Sequence, residues 1–143
     1  MTFETNTNVG ATLTRVSLGT ILLAHGLPKL LVFTVPGTVA FFASLGLPAI
    51  AAYLTIFAEV VGGVAIIAGL YTRLAAILSL PVLIGSLWAH AGNDWLFSAE
   101  GGGWEFPALL VALAVAVAVQ GGGAFALRRL PVLDAYIPQA LKA

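Results

Sequence analysis

Apolar residues fall into four long runs separated by short polar or glycine- and proline-rich breaks. Met1 to Gly10 is polar. From about residue 11 to 31 the chain is mostly apolar, its ionisable side chains being Arg15, His25 and Lys29, and Gly26 and Pro28 interrupt its far end. Proline has no N–H and would free the carbonyl of Ala24, so the pattern predicts a break there that faces protein or water. Residues 35–48 are too few to cross a bilayer. Pro36 and Pro48 bracket Thr38 to Gly46 with Phe41, Phe42 and Leu45, which predicts a short interfacial or re-entrant helix, an apolar loop being the alternative. A second span is predicted over 49–70 with one charge, Glu59. A third follows over 74–91, with a kink expected at Pro81. After a loop rich in Gly, Trp and Phe, a fourth covers 105–120 and ends at Gly121-Gly122-Gly123. Each run approaches the roughly 20 residues a transmembrane helix needs. The expected fold is all-α, an integral membrane four-helix bundle over residues 11–123, with a tail over 124–143. Small residues such as Ala58, Gly62, Gly63 and Gly69 would let the helices approach closely.

Composition supports the bilayer as solvent. Of 143 residues, 60% are hydrophobic and 8% charged, with a mean hydropathy of +1.04; soluble domains carry about 25% charged residues. The formal net charge is zero and no basic stretch points to nucleic acid. Without cysteine there is no disulfide, thiolate metal site or thiol relay, so electrons, if transferred, must travel on a bound cofactor or a partner. The N-terminus lacks a small-residue cleavage site after a short apolar core, and the first span is read as retained. With four spans, Arg15, Arg73, Arg128, Arg129 and Lys142 share one side, while Lys29, Asp94, Glu100 and Glu105 lie on the other. The positive-inside rule then places both termini in the cytoplasm. Trp88, Trp95 and Trp104 would lie near the outer boundary.

The polar residues inside the spans carry the candidate chemistry. Glu59 lies about ten residues into its span, roughly 15 Å deep at 1.5 Å per residue. A lone carboxylate at that depth costs at least about 2.5–3.5 kcal/mol, so it should face the protein interior, either protonated or paired with a base. His25, His90 and Glu105 are expected at a similar height in the outer half, with Lys29 one turn beyond His25. One pocket could gather His25, Glu59, His90 and Glu105, with Glu59 as its floor and Trp95 and Trp104 over its mouth. Imidazoles and carboxylates hydrogen-bond carbonyl oxygens and exchange protons, as a quinone becoming a quinol requires. A metal is not expected, because no tight ligand spacing such as His-Glu-x-x-His occurs. Arg73 reads as a membrane-edge anchor and cap, and Arg15 as paired with Glu4, reaching to the surface, or contacting an interior partner. Asp94 and Glu100 read as solvated. There is no nucleophile constellation, Walker loop or dinucleotide fingerprint, and Gly101-Gly102-Gly103 reads as a flexible loop.

The order Arg15, Gly19, His25-Gly26-x-x-Lys29, Phe41 to Gly46-Leu47-Pro48, Glu59-x-x-Gly62-Gly63, Gly69-Leu70-x-Thr72-Arg73, His90 and Glu105 resembles the DoxX family of small bacterial membrane proteins over about residues 11–127. The resemblance implies a four-helix membrane bundle. It places His25, Lys29, Glu59, Arg73, His90 and Glu105 at the family's polar positions. Family members include a small subunit of a thiosulfate:quinone oxidoreductase, and others accompany oxidative-stress or copper-responsive membrane systems. Three functions remain open on these grounds. One is a redox-associated subunit holding a quinone-like ligand, with no covalent cofactor implied. Another is a non-catalytic scaffold of a membrane complex, working with a protein partner or as a homo-oligomer. The third, a proton or small-molecule carrier, is weakened by the lack of an evident inverted repeat.

Overall fold

A computed structural model describes residues 2–127, 130 and 134–142. Arg128, Arg129 and Pro131 lie outside the described residues. Among the described residues the regular structure is all helical. There are five longer helices, α1 (Phe3–Leu31), α2 (Thr34–Ser44), α3 (Ala49–Ala68), α4 (Thr72–His90) and α5 (Glu105–Gln120), and two short 3-10 turns, Asp134–Tyr136 and Gln139–Leu141. By length and apolarity α3 and α4 can each cross a bilayer. The pair α1–α2, bent by 105°, passes as a third span if counted as one broken element; α5 is apolar but only 16 residues long.

Helix α1 starts earlier than the apolar pattern predicts. The Thr2 side chain caps it by accepting from the Thr5 N–H, and Glu4 in the first turn complements the helix dipole. The expected interruption at Gly26 and Pro28 does not occur, and the helix runs through Pro28 to Leu31. The change of direction comes after Leu31 and is held by Thr38, a buried residue whose hydroxyl donates to the carbonyls of Lys29 (3.1 Å) and Thr34 (3.0 Å). Gly26 serves packing instead: a Cβ there would stand 2.7 Å from Val60 and 2.9 Å from the Glu59 Cβ. Gly19 and Gly63 make the same kind of approach, so α1 and α3 cross with backbone almost touching.

Helix α3 contains a π-turn, Ala58–Gly62, which includes Glu59. It ends at Gly69, whose φ of 73° gives the left-handed turn into α4. Helix α4 passes Pro81 without ending. Leu18 and Leu22 of α1, Ile66 of α3, Ala76 and Leu83 of α4, and Leu110, Ala114 and Val117 of α5 form one buried cluster.

Charge is arranged inside out. Between residues 5 and 93 the chain has four charged side chains, Arg15, Lys29, Glu59 and Arg73. Arg15 is buried, and Lys29 and Glu59 pair with each other. The exterior over the same stretch presents Leu13, Leu31, Phe33, Phe41, Leu54, Phe57, Leu78 and Trp88. Water tolerates no apolar surface of that extent on a monomer, whereas lipid contact requires one.

Arg15 takes the interior option. Its guanidinium donates to the carbonyls of Gly122 (2.9 Å), Ile66 (2.8 Å), Ile67 and Ala124 (3.4 Å). It thereby ties the end of α3 to the segment after α5, and the Ala124 N–H donates back to Asn8 of α1. Arg73 donates to the Val119 carbonyl (3.3 Å) in the last turn of α5, where a cation favours the helix dipole.

Candidate functional site

Glu59, His25 and His90 line one cavity of about 260 Å³. Three helices supply them, and each is placed by a local backbone feature. The π-turn carries Glu59, and π-turns inside α-helices are frequent at functional sites. Gly26 lets α1 lie against the Glu59 Cβ, which brings Lys29 within reach. The Lys29 ammonium stands 2.7 Å from Oε2 and donates to Oε1 at 2.9 Å. Of the two readings open for Glu59, the structure shows the pair, with Lys29 as the base. Lys29 also donates to the His25 carbonyl at 3.2 Å, so the ammonium bridges the two helices.

Both imidazoles are oriented in the same way. The His25 Nδ1–H donates to the Ile21 carbonyl at 2.8 Å, and the His90 Nδ1–H donates to the Ser86 carbonyl at 2.8 Å. A carbonyl only accepts, so the proton of each neutral ring sits on Nδ1 and its Nε2 carries the lone pair. His25 is further held by stacking on Phe106, with ring centroids 5.9 Å apart at 29°. The other walls include Phe106 and the core leucines Leu22, Leu83 and Leu110, which leaves a mostly apolar chamber with a few polar groups.

The loop after α4 closes over this chamber. Gly102 has a φ of 80°, and a Cβ there would stand 3.2 Å from His90 Cδ2, so bare backbone lies against that ring. The Asn93 amide holds the loop by donating to the carbonyls of Gly101 (3.1 Å) and Gly102 (2.5 Å). Phe97, Gly102 and Gly103 line the cavity.

Two groups of residues predicted for the pocket lie elsewhere. Glu105 does not line it; its Oε1 accepts from the Phe97 N–H at 2.8 Å and fastens the loop to α5. Trp95 and Trp104 do not line it either. They pack edge to face, with centroids 4.3 Å apart, beside the loop that forms the mouth. Sequence reasoning missed Asn93, Phe97, Gly102 and Phe106. The glycine run was the available signal for a tight loop, because consecutive glycines permit the positive φ values that Gly101 and Gly102 adopt. Among the described residues no group of three or more His, Cys, Asp or Glu is placed to hold a metal ion.

The sequence profile of the DoxX family matches residues 10–92, which takes in His25, Lys29, Glu59 and His90 and leaves Glu105 beyond it. A protein of Bacillus subtilis (strain 168) named "Putative oxidoreductase CatD" is 40% identical over 79 residues, 55% of this chain. The chain thus spans 58% of the length of that relative. No solved structure matches the chain. Because the profile accounts for more than half of the residues, the protein belongs to the DoxX family.

Proposed function

We propose that this chain is a redox-associated subunit of the bacterial inner membrane that binds a one-ring quinol or quinone in the cavity of His25, Glu59 and His90. In this reading α1, α3, α4 and α5 form a four-helix membrane bundle with both termini cytoplasmic, and α2 lies at the outer interface. The observation that carries it is the pair of imidazoles in one apolar chamber, each with Nδ1–H bound to its own helix and Nε2 left to accept or give a proton. The volume suits the ligand class: an apolar cavity of about 150 Å³ takes a benzene ring, so about 260 Å³ admits one ring with small substituents.

A quinol bound there supplies two hydroxyl protons and two electrons. Neutral His25 and His90 accept hydrogen bonds from hydroxyls; the same rings, protonated, donate to the two carbonyls of the oxidised form. Glu59, held in place by Lys29, lines the same cavity as a hydrogen-bond acceptor. The chain has no cysteine, so the electrons pass to or from a partner subunit bearing a redox group. The name of the Bacillus relative agrees with redox work of this kind.

The test is binding of duroquinol under anaerobic conditions to the full chain in lipid nanodiscs, followed by tryptophan quenching. His25→Ala and His90→Ala should each weaken binding about tenfold, the loss of one good hydrogen bond. Absence of binding to the wild type, or unchanged affinity in both variants, overturns the reading and leaves a scaffold subunit.

A further inference from the structure

The cavity of His25, Glu59 and His90 is rich in hydrogen-bond acceptors and poor in donors. Each imidazole keeps a lone pair on Nε2, because its Nδ1–H is bound to a helix carbonyl. Glu59 adds a carboxylate. Lys29 donates to its Oε1; Oε2 stands 2.7 Å from the same ammonium, yet it is buried and receives no hydrogen bond of good angle among the described residues. The loop N–H groups along the cavity are already committed. That of Phe97 goes to Glu105, that of Gly102 to the Ala99 carbonyl and that of Gly103 to the Phe97 carbonyl. The Lys29 ammonium is taken up by Glu59 and the His25 carbonyl. Two donors remain on the lining residues. One is the Ser86 hydroxyl, which can also accept. The other is the Phe106 N–H, a first-turn amide with no acceptor inside its own helix.

From this balance we infer that the cavity selects the reduced, hydroxyl-bearing form of its ring ligand over the oxidised form. The selectivity rests on the ring site proposed above and adds the redox state that the site recognises. A phenolic hydroxyl donates and accepts, whereas a quinone carbonyl only accepts. A quinol can place its two O–H groups on two of the acceptors supplied by His25, His90 and Glu59, and its oxygens still serve Ser86 or Phe106. A quinone sets lone pairs against lone pairs. It strips water from the neutral imidazoles and the carboxylate without replacing the hydrogen bonds they lose. Tighter binding of the quinol shifts the bound couple toward reduction. A tenfold preference raises its two-electron potential by about 30 mV above that of the free couple, which favours delivery of electrons to the bound ring over their removal.

Three ligands with the same methylated ring separate hydrogen bonding from packing: duroquinol, duroquinone and durene, which has no oxygen. Each would be brought to anaerobic dialysis equilibrium with the full chain in nanodiscs and with empty nanodiscs of the same lipid, so that partition into lipid is subtracted. The measurement is made at about pH 8, above the ordinary imidazole range. Duroquinol should bind the wild type at least tenfold more tightly than either duroquinone or durene. His25→Phe and His90→Phe, which keep a ring and remove the acceptor, should each weaken duroquinol about tenfold and change duroquinone less than twofold. If duroquinone binds the wild type as tightly as duroquinol or more so, the selectivity is wrong and the ring site stands. Durene binding as tightly as duroquinol would mean that packing alone decides, and overturns it as well. So does a parallel loss of both oxygenated ligands in the two variants. Failure of all three to bind the wild type removes the ring site, and the selectivity with it.

Discussion

Replacing Lys29 by methionine removes the cation paired with the Glu59 carboxylate. The pair is close, 2.7 Å and 2.9 Å to the two oxygens, with side-chain exposures of 20% for Lys29 and 10% for Glu59. Breaking a buried ion pair from one side costs about 3–5 kcal/mol because the remaining charge stays buried. Lys29 is one-fifth exposed and Glu59 has the escape of taking up a proton, so about 2–4 kcal/mol is expected for Lys29→Met. The reverse change, Glu59→Gln, should be milder, about 1–2 kcal/mol, since a lysine near a helix end can turn its ammonium toward the interface. Removing both partners with Lys29→Met/Glu59→Met should cost no more than about 1 kcal/mol, as apolar replacement of a buried pair is often near neutral. Unfolding in mixed micelles of increasing sodium dodecyl sulfate, followed by far-ultraviolet circular dichroism, gives the four free energies of the cycle. The reasoning fails if the double variant is as unstable as Lys29→Met, or if Lys29→Met matches the wild type.

Three further outcomes follow from the packing. Gly63→Val places new atoms against the Leu23 N–H and the Gly19 carbonyl, 2.9 Å and 3.0 Å from the Cβ position, both backbone. The helices must separate, and a loss of about 1–3 kcal/mol in the same unfolding assay is expected. Arg15→Leu removes the donor that joins the end of α3 to the segment after α5, although Ile66 keeps the Gly69 N–H and Ala124 the Thr12 hydroxyl, and should expose the segment after Gln120 to limited proteolysis at least tenfold faster; an unchanged cleavage rate would contradict the clasp. Gly102→Ala sets a methyl 3.2 Å from His90 Cδ2 at a φ of 80°, which strains the backbone by about 1–2 kcal/mol. Duroquinol affinity should fall with it, while stability of the helices changes little.

The helices were legible because apolar run length is a direct physical requirement of a bilayer. The run read over 105–120 is α5, and those over 49–70 and 74–91 differ from α3 and α4 by no more than two residues at either end. Pro28 misled because a proline weakens a helix without deciding whether packing will carry it through, and here Gly26 lets α3 brace the same turn. The π-turn left no trace in the pattern, since one extra residue in a helix alters the angular phase and not the composition. That phase decides which polar groups meet. Lys29 and Glu59 are 30 positions apart in sequence, and depth alone gave no reason to prefer Lys29 over either histidine as the neighbour of Glu59. Glu105 shows the converse: a residue at the right height can be committed to a loop amide by its azimuth.

How many times the chain crosses the membrane is open to a decisive measurement, and α5 is the element in question. At 1.5 Å per residue its 16 residues extend roughly 24 Å, short of a hydrocarbon core of about 30 Å. Two features support the proposal that it is a fourth span. It contributes Leu110, Ala114 and Val117 to the cluster shared with α1, α3 and α4, and its last turn meets Arg73 at the level where α4 begins. A helix so placed runs the length of α4 in the opposite direction, and local thinning of the bilayer accommodates the difference at a fraction of a kcal/mol per Å. Because the chain has no native cysteine, single substitutions report without background. Asn6→Cys and Ala140→Cys should react with a membrane-impermeant maleimide only in inverted vesicles, and Glu100→Cys only in intact spheroplasts. Labelling of Asn6→Cys and Ala140→Cys from opposite sides would mean an odd number of crossings. The loop carrying Phe97 and Gly102 would then no longer lie on the face opposite both termini, and the outward-facing cavity proposed here would have to be abandoned.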